Sequence, residues 1–170
     1  MSDLIPRITA AACLCAAACL GSVNMLKATE APAPAPAPGS PAIYLSNRQL
    51  ADVMRASIAK GSVPALSQIS STDQYFINEV HRTKVTGASA HPGWTEVHIV
   101  LAGSGTFVTG GEIKALGNTK IIEGGVSRKV GKGDVIIVPA NTPHWYSKID
   151  GSLDAIEVRF MRTDAGQTPQ

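Results

Sequence analysis

From Tyr75 onward the chain is a succession of short apolar and β-branched runs cut apart by glycine and asparagine. A first run covers Tyr75–Val85. It is followed by Glu96–Leu101, Gly105–Thr109, Thr119–Ile122, Val126–Val130, Asp134–Val138, His144–Lys148 and Leu153–Met161. The cuts are Gly103-Ser-Gly105, Gly110-Gly111, Gly117-Asn118, Gly124-Gly125 and Gly131-Lys-Gly133. Gly and Asn supply the backbone conformations that tight turns between antiparallel strands need. No interval carries a helical period. Many short strands at close spacing predict an all-β barrel or sandwich.

One helix precedes these strands. In Ser46–Gly61, Leu50, Val53 and Met54, with Ser57 and Ile58, form one stripe, Ser46 is the N-cap and Gly61 the stop. Further upstream the composition changes. Ile8–Leu26 is nearly free of charge and follows a short start containing Arg7, which is the pattern of a secretory signal or signal anchor. All three cysteines (Cys13, Cys15, Cys19) lie in that stretch, so the rest of the chain has neither disulfides nor thiolate ligands. Residues 31–38 alternate Ala and Pro, an extended polyproline-type spacer reaching roughly 25 Å at ~3.1 Å per residue. The expected organisation is a signal peptide or anchor over 1–28, a linker over 29–42, a helical extension over 43–74, a barrel over 75–163 and a tail over 164–170. The barrel is thus expected to be periplasmic or secreted, with a membrane involved only through an uncleaved N-terminal segment.

Three of the four histidines and one glutamate fall in two segments, His91-Pro-Gly-Trp-Thr-Glu96-Val-His98 and Gly133–His144. Imidazole and carboxylate groups on neighbouring strands can hold a divalent metal. At 16% charged residues and net +2, the chain gives no reason to expect nucleic acid as a partner. No phosphate-binding glycine loop, nucleophile elbow or paired-cysteine zinc cluster is present.

The order and spacing of these residues resemble the cupin superfamily, over about residues 75–161. His91, Glu96 and Val100-Leu-Ala-Gly103 look like the first cupin motif, in its germin-type form. Gly133-Asp134, four apolar residues, Pro139 and His144 look like the second. The resemblance implies a double-stranded β-helix, or jelly-roll barrel, with His91, Glu96 and His144 as ligands of a transition metal (Fe, Mn, Ni, Zn or Cu). It also implies a first histidine at position 89, where this chain has Ser89. Three ligands plus water make an open site, while a cupin that has lost its metal is the alternative.

His98 shares the face of Glu96, because residues two apart in a strand point the same way. It can complete the metal sphere, touch substrate, act as a general acid or base, or simply pack. Tyr146 should share the inward face of His144 and is a second candidate for moving a proton. Trp145 should point outward, and Trp94, with Ser89, should line the mouth as a substrate contact. His81, beside Glu79, reads as a structural or rim residue. Glu157 and Arg159 alternate with Ile156, Val158 and Phe160, and a solvated outer position is expected for both. The functional expectation is a metal-dependent cupin acting on a small organic molecule as a dioxygenase, isomerase, lyase or decarboxylase. A non-catalytic binding module is the alternative, and pairing of barrel faces into a homodimer is a further expectation.

Overall fold

The computed structural model describes residue 34 and residues 36–161. The signal or anchor segment, its cysteines, half of the Ala-Pro repeat and the tail lie outside the described residues. Helix α1 (Asn47–Ala59) is capped by Ser46, whose Oγ accepts from the Gln49 amide while the Gln49 side chain reaches back to the Ser46 amide. Gly61 ends it with φ +73°. The stripe that packs is Met54 and Ser57; Val53 and Ile58 face solvent, contrary to expectation. The turn of the helix toward β1 explains this, since the Ser57 hydroxyl donates to the Leu66 carbonyl.

Eight strands follow among the described residues: β1 (Ala65–Ser71), β2 (Tyr75–Arg82), β3 (Trp94–Thr109), β4 (Glu112–Leu116), β5 (Thr119–Glu123), β6 (Val126–Gly131), β7 (Val135–Val138) and β8 (His144–Met161). The fold is therefore all-β, an antiparallel jelly roll with one N-terminal helix, as the resemblance implies. Three details differ from the sequence reading. Strand β1 lies inside the segment read as a helical extension, and β4 was not foreseen. The runs Glu96–Leu101 and Gly105–Thr109 are one long strand, as are His144–Lys148 and Leu153–Met161.

These long strands shape the barrel. β3 and β8 pair antiparallel from Trp94↔Met161 to Thr109↔His144, with register shifts near Val100/Ala102 and Gly103/Gly105. A Cβ on Gly103 (φ +73°) would meet the Ser152 carbonyl oxygen, and one on Gly105 the Lys148 carbonyl oxygen. Only glycine admits so close a backbone approach, so the ribbon can bend there without breaking its ladder. One half of the ribbon joins β2 and β1 on the β8 side and β7 on the β3 side; the other half joins β6. The β4–β5 hairpin places Ile122 against Val108 and Ala88, a small second core beside Trp145. The main core is Val100, Phe107, Val130, Val138, Tyr146, Leu153 and Ala155. It fills the barrel interior next to the candidate site.

Candidate metal centre

The register fixes which side chains share the interior. Phe76, Arg159, Glu96 and Val138 form one cross-strand row, and Asn78, Glu157, His98 and Ile136 the next. A third row, Val80, Ala155 and Val100, is fully apolar and buried. Glu157 and Arg159 therefore point inward. The expectation of a solvated outer face is corrected, because Ile156, Val158 and Phe160 are the residues that turn outward.

His144 begins β8 and His91 lies on the loop before β3. Two backbone hydrogen bonds between Ser89 and His144 tie these segments together. The His91 carbonyl accepts from the Asn141 amide, and the Asn141 side-chain oxygen accepts from the Gly93 amide. Asn141 sits at φ 64°, a left-handed position that Asn tolerates, and so presents its side chain to that loop.

One donor atom each from His91, Glu96 and His144 lie within 4.8 Å of one another. Glu96 Oε1 is 3.4 Å from His144 Nε2 and 3.6 Å from His91 Nε2. Donors about 2.1 Å from a common ion stand roughly 3.0–3.4 Å apart, so this spacing fits a shared cation after small adjustment. The protonation states suit one as well. Burial pushes both imidazoles below their ordinary pKa, outweighing the attraction of Glu96. Burial alone would raise Glu96, but His98, His144, Arg159 and His91 bring it below the usual carboxylate range. The His144 Nδ1–H donates to the Thr142 carbonyl at 3.0 Å, which leaves Nε2 with its lone pair facing Glu96. The Ser89 hydroxyl donates to that Nε2 at 3.3 Å and is the group a cation would displace.

The second oxygen of Glu96 serves a different set. Arg159 Nε–H donates to Oε2 at 2.9 Å. His98 Nε2 stands 3.6 Å from the same Oε2, an ion-pair distance rather than a hydrogen bond. On its other side His98 Nδ1 lies 3.4 Å from Glu157 Oε1, which accepts from Arg82 Nη2 at 2.6 Å. Arg159, Glu96, His98, Glu157 and Arg82 thus form a file of alternating charge through the interior. Burial works against the His98 cation, yet the carboxylates on either side raise its pKa net. Glu157 is depressed far below its usual range: burial opposes this, and His98 and Arg82 overcome it.

His98 does not join the three-ligand group. It is 2% exposed, packed among Phe107, His144 and Tyr146, and its Nε2 has no hydrogen-bond partner among the described residues. Tyr146 does turn inward. Its Oη lies 3.3 Å from His98 Nδ1, and Arg82 stacks over its ring at 5.0 Å. Burial pushes the phenol well above its ordinary pKa, so it stays protonated. Trp94 packs on Phe76 with ring centroids 4.9 Å apart. Trp145 turns to the second core and donates from its indole nitrogen to the Thr86 carbonyl. His81 pairs with Asp154 away from the centre. Sequence reasoning missed Arg82 altogether, because its role depends on a register that links β2 to β8.

Residues 79–158 match the family model described as the cupin domain. Among solved structures, a protein of Bacillus halodurans aligns with TM-score 0.51 at 15% identity, over 76% of this chain and 89% of its own. An uncharacterized conserved Klebsiella pneumoniae protein with a double-stranded β-helix domain aligns with TM-score 0.51 at 15% identity, over 74% of this chain and 95% of its own. At that identity these likenesses show the fold alone. An acireductone dioxygenase of Leptospira biflexa is 45% identical over 40 residues, 24% of this chain and 22% of that protein. The matched stretch is thus about a fifth of that relative's length.

Proposed function

Since the chain belongs to the cupin superfamily, we propose that its barrel holds a divalent transition metal on His91, Glu96 and His144 and acts on a small organic molecule. The observation that carries this reading is the convergence of two imidazole nitrogens and one carboxylate oxygen within 4.8 Å. A bound cation would supply Lewis acidity toward a substrate oxygen, with open positions left for substrate and water.

The chain's own residues divide the remaining work. Glu96 presents Oε1 to the imidazoles while Arg159 holds Oε2, so the carboxylate is fixed in one orientation. The Thr142 carbonyl fixes the His144 tautomer. Phe107 and Tyr146 keep water from the inner side. His98 holds a proton between Glu96 and Glu157, and Tyr146 Oη is the neutral group beside it. These two remain the residues assigned to proton movement, and Trp94 and Ser89 those assigned to substrate contact at the mouth.

The test is metal content. Full-length protein from cells supplied with Mn, Fe, Ni and Zn should carry about one metal per chain by elemental analysis. His144→Ala should weaken retention by about 100-fold or more, beyond the 10–100-fold typical of losing a supporting residue. Wild-type protein without stoichiometric metal under every supplement would sink the reading. Dioxygen consumption is the first activity to assay, because the relative matched over 40 residues is a dioxygenase. A non-catalytic binding module is favoured by one observation, Ser89 at the position of the missing histidine; ligand binding without turnover by the metal-loaded protein would select it. The proposal also places the barrel outside the cytoplasm, on the strength of the apolar stretch over Ile8–Leu26. Recovery of the protein only in the cytoplasmic fraction would refute that part.

A further inference from the structure

Four inward side chains around Glu96 offer no ligand atom to a metal: Phe76, Asn78, Trp94 and Arg159. Phe76 and Arg159 share the row of Glu96, and Asn78 the row of His98. Arg159 is about a third exposed, at 31%, whereas Glu96 beneath it is at 1%. Its bond to Glu96 uses Nε–H alone. Among the described residues neither terminal amino group of its guanidinium has a partner, so a planar pair of donors remains at the mouth. Asn78 is half-buried, and its side-chain amide likewise makes no hydrogen bond among the described residues. Beside them the tilted Phe76–Trp94 pair offers an apolar wall.

The balance of charge gives the same answer. Arg82 and Arg159 offset Glu96 and Glu157 in the interior, and His98 between the two carboxylates adds no negative charge whether protonated or neutral. A divalent cation on His91, Glu96 and His144 adds two positive charges in a low-dielectric barrel with no further carboxylate to meet them. Uncompensated charge in such a place is costly, and an anion from solvent is the simplest remedy.

We infer that the site takes a small organic carboxylate, its anionic group held by the free edge of Arg159 with Asn78 alongside, and its body against Phe76 and Trp94. The charge argument rests on the proposed metal function; the uncommitted donors of Arg159 do not.

Calorimetric titration of full-length, metal-supplied protein with two matched pairs tests it: pyruvate against pyruvamide, and glycolate against glycolamide. Wild type should bind at least one carboxylate about tenfold or more tightly than its neutral amide. Arg159→Gln, which also gives up the bond that orients Glu96, is titrated at saturating metal, where it should erase that preference. Arg159→Lys should keep part of it, since the charge survives and the two-pronged geometry does not. If Arg159→Gln does not fold, a threefold or greater loss of preference in Arg159→Lys carries the test. Equal binding of acid and amide by wild type overturns the inference, and so does a preference that survives Arg159→Gln. Wild type without metal but with an Arg159-dependent preference for the carboxylate sinks the metal reading and upholds this one.

Discussion

The two faces of the sheet at residues 94–101 and 153–161 are built in opposite senses. Inside, Glu96, His98 and Glu157 are almost fully buried and ionisable. Outside, Ile99 and Leu101 of β3, Val135 and Ile137 of β7 and Phe160 of β8 stand partly in solvent, Ile137 at 67% exposure. Ordinary half-buried sheets put the apolar residues inward. The other half of the same ribbon shows why this half can differ. There Phe107 faces the core and Val108 faces Ile122 of the β4–β5 hairpin, so both faces are buried and apolar. That half, together with the buried Val80, Val100, Leu153 and Ala155 at the inner end of the first half, supplies apolar packing enough for the rows of Glu96 and His98 to hold ionisable groups. They are tolerable because each charge meets an opposite one.

That contrast can be broken most severely from the inside. Glu157→Leu removes the shared partner of Arg82 and His98 and should cost about 3–5 kcal/mol in chemical denaturation, as losing one member of a buried ion pair does. A loss below about 1 kcal/mol would mean that the file of charges contributes little. Acid titration sharpens the point. The folded pKa of Glu157 lies below its unfolded value. Its stabilisation is therefore complete above the unfolded range near ~4.3 and is lost as pH falls toward the folded value. Metal-free wild type should lose stability over that acid window, and Glu157→Gln should show a flatter limb there. Smaller in effect, Ser89→His puts an imidazole directly opposite His144 and should tighten metal retention about tenfold, read by competition with a chelator. The smallest change belongs to the outer face: Ile137→Thr should shift stability by less than about 0.5 kcal/mol, as exposed substitutions do. A loss near that of Glu157→Leu would erase the distinction between the faces.

The barrel was legible because its turns are written in glycine and its two motif segments carry ligands at fixed spacing. His91, Glu96 and His144 converge as expected, and so does the inward aim of His98 and Tyr146. Glu157 and Arg159 were misplaced for a physical reason. Their strand alternates cleanly with Ile156, Val158 and Phe160, and alternation says that two faces differ without saying which is inside. The information was present indirectly. Glu96 and His98 also alternate with Val97 and Ile99, so an inverted interior on β3 predicts an inverted neighbour once the β3–β8 register is known. Such register arises from pairing across more than fifty residues, which no local pattern carries. Strand β1 was missed because Ala65–Ser71 is rich in serine; Ala65 and Ser67 are buried on the face that α1 covers, where small side chains suffice.

The place of β8 between β2 and β3 has a consequence in time. β2 can pair with β1 early but finds its second partner only when residues 153–160 arrive, with His81 waiting for Asp154 across 73 positions of chain. Closing so long a loop is slow, and topologies rich in such pairings fold late and together. His144 is the first residue of that same strand. During synthesis, therefore, His91 and Glu96 are made well before the chain can bring them a third donor. Loading of the proposed cation would in this way be deferred until the barrel closes, and a nascent chain stopped before residue 144 can neither bring the three candidate donors together nor complete its sheet.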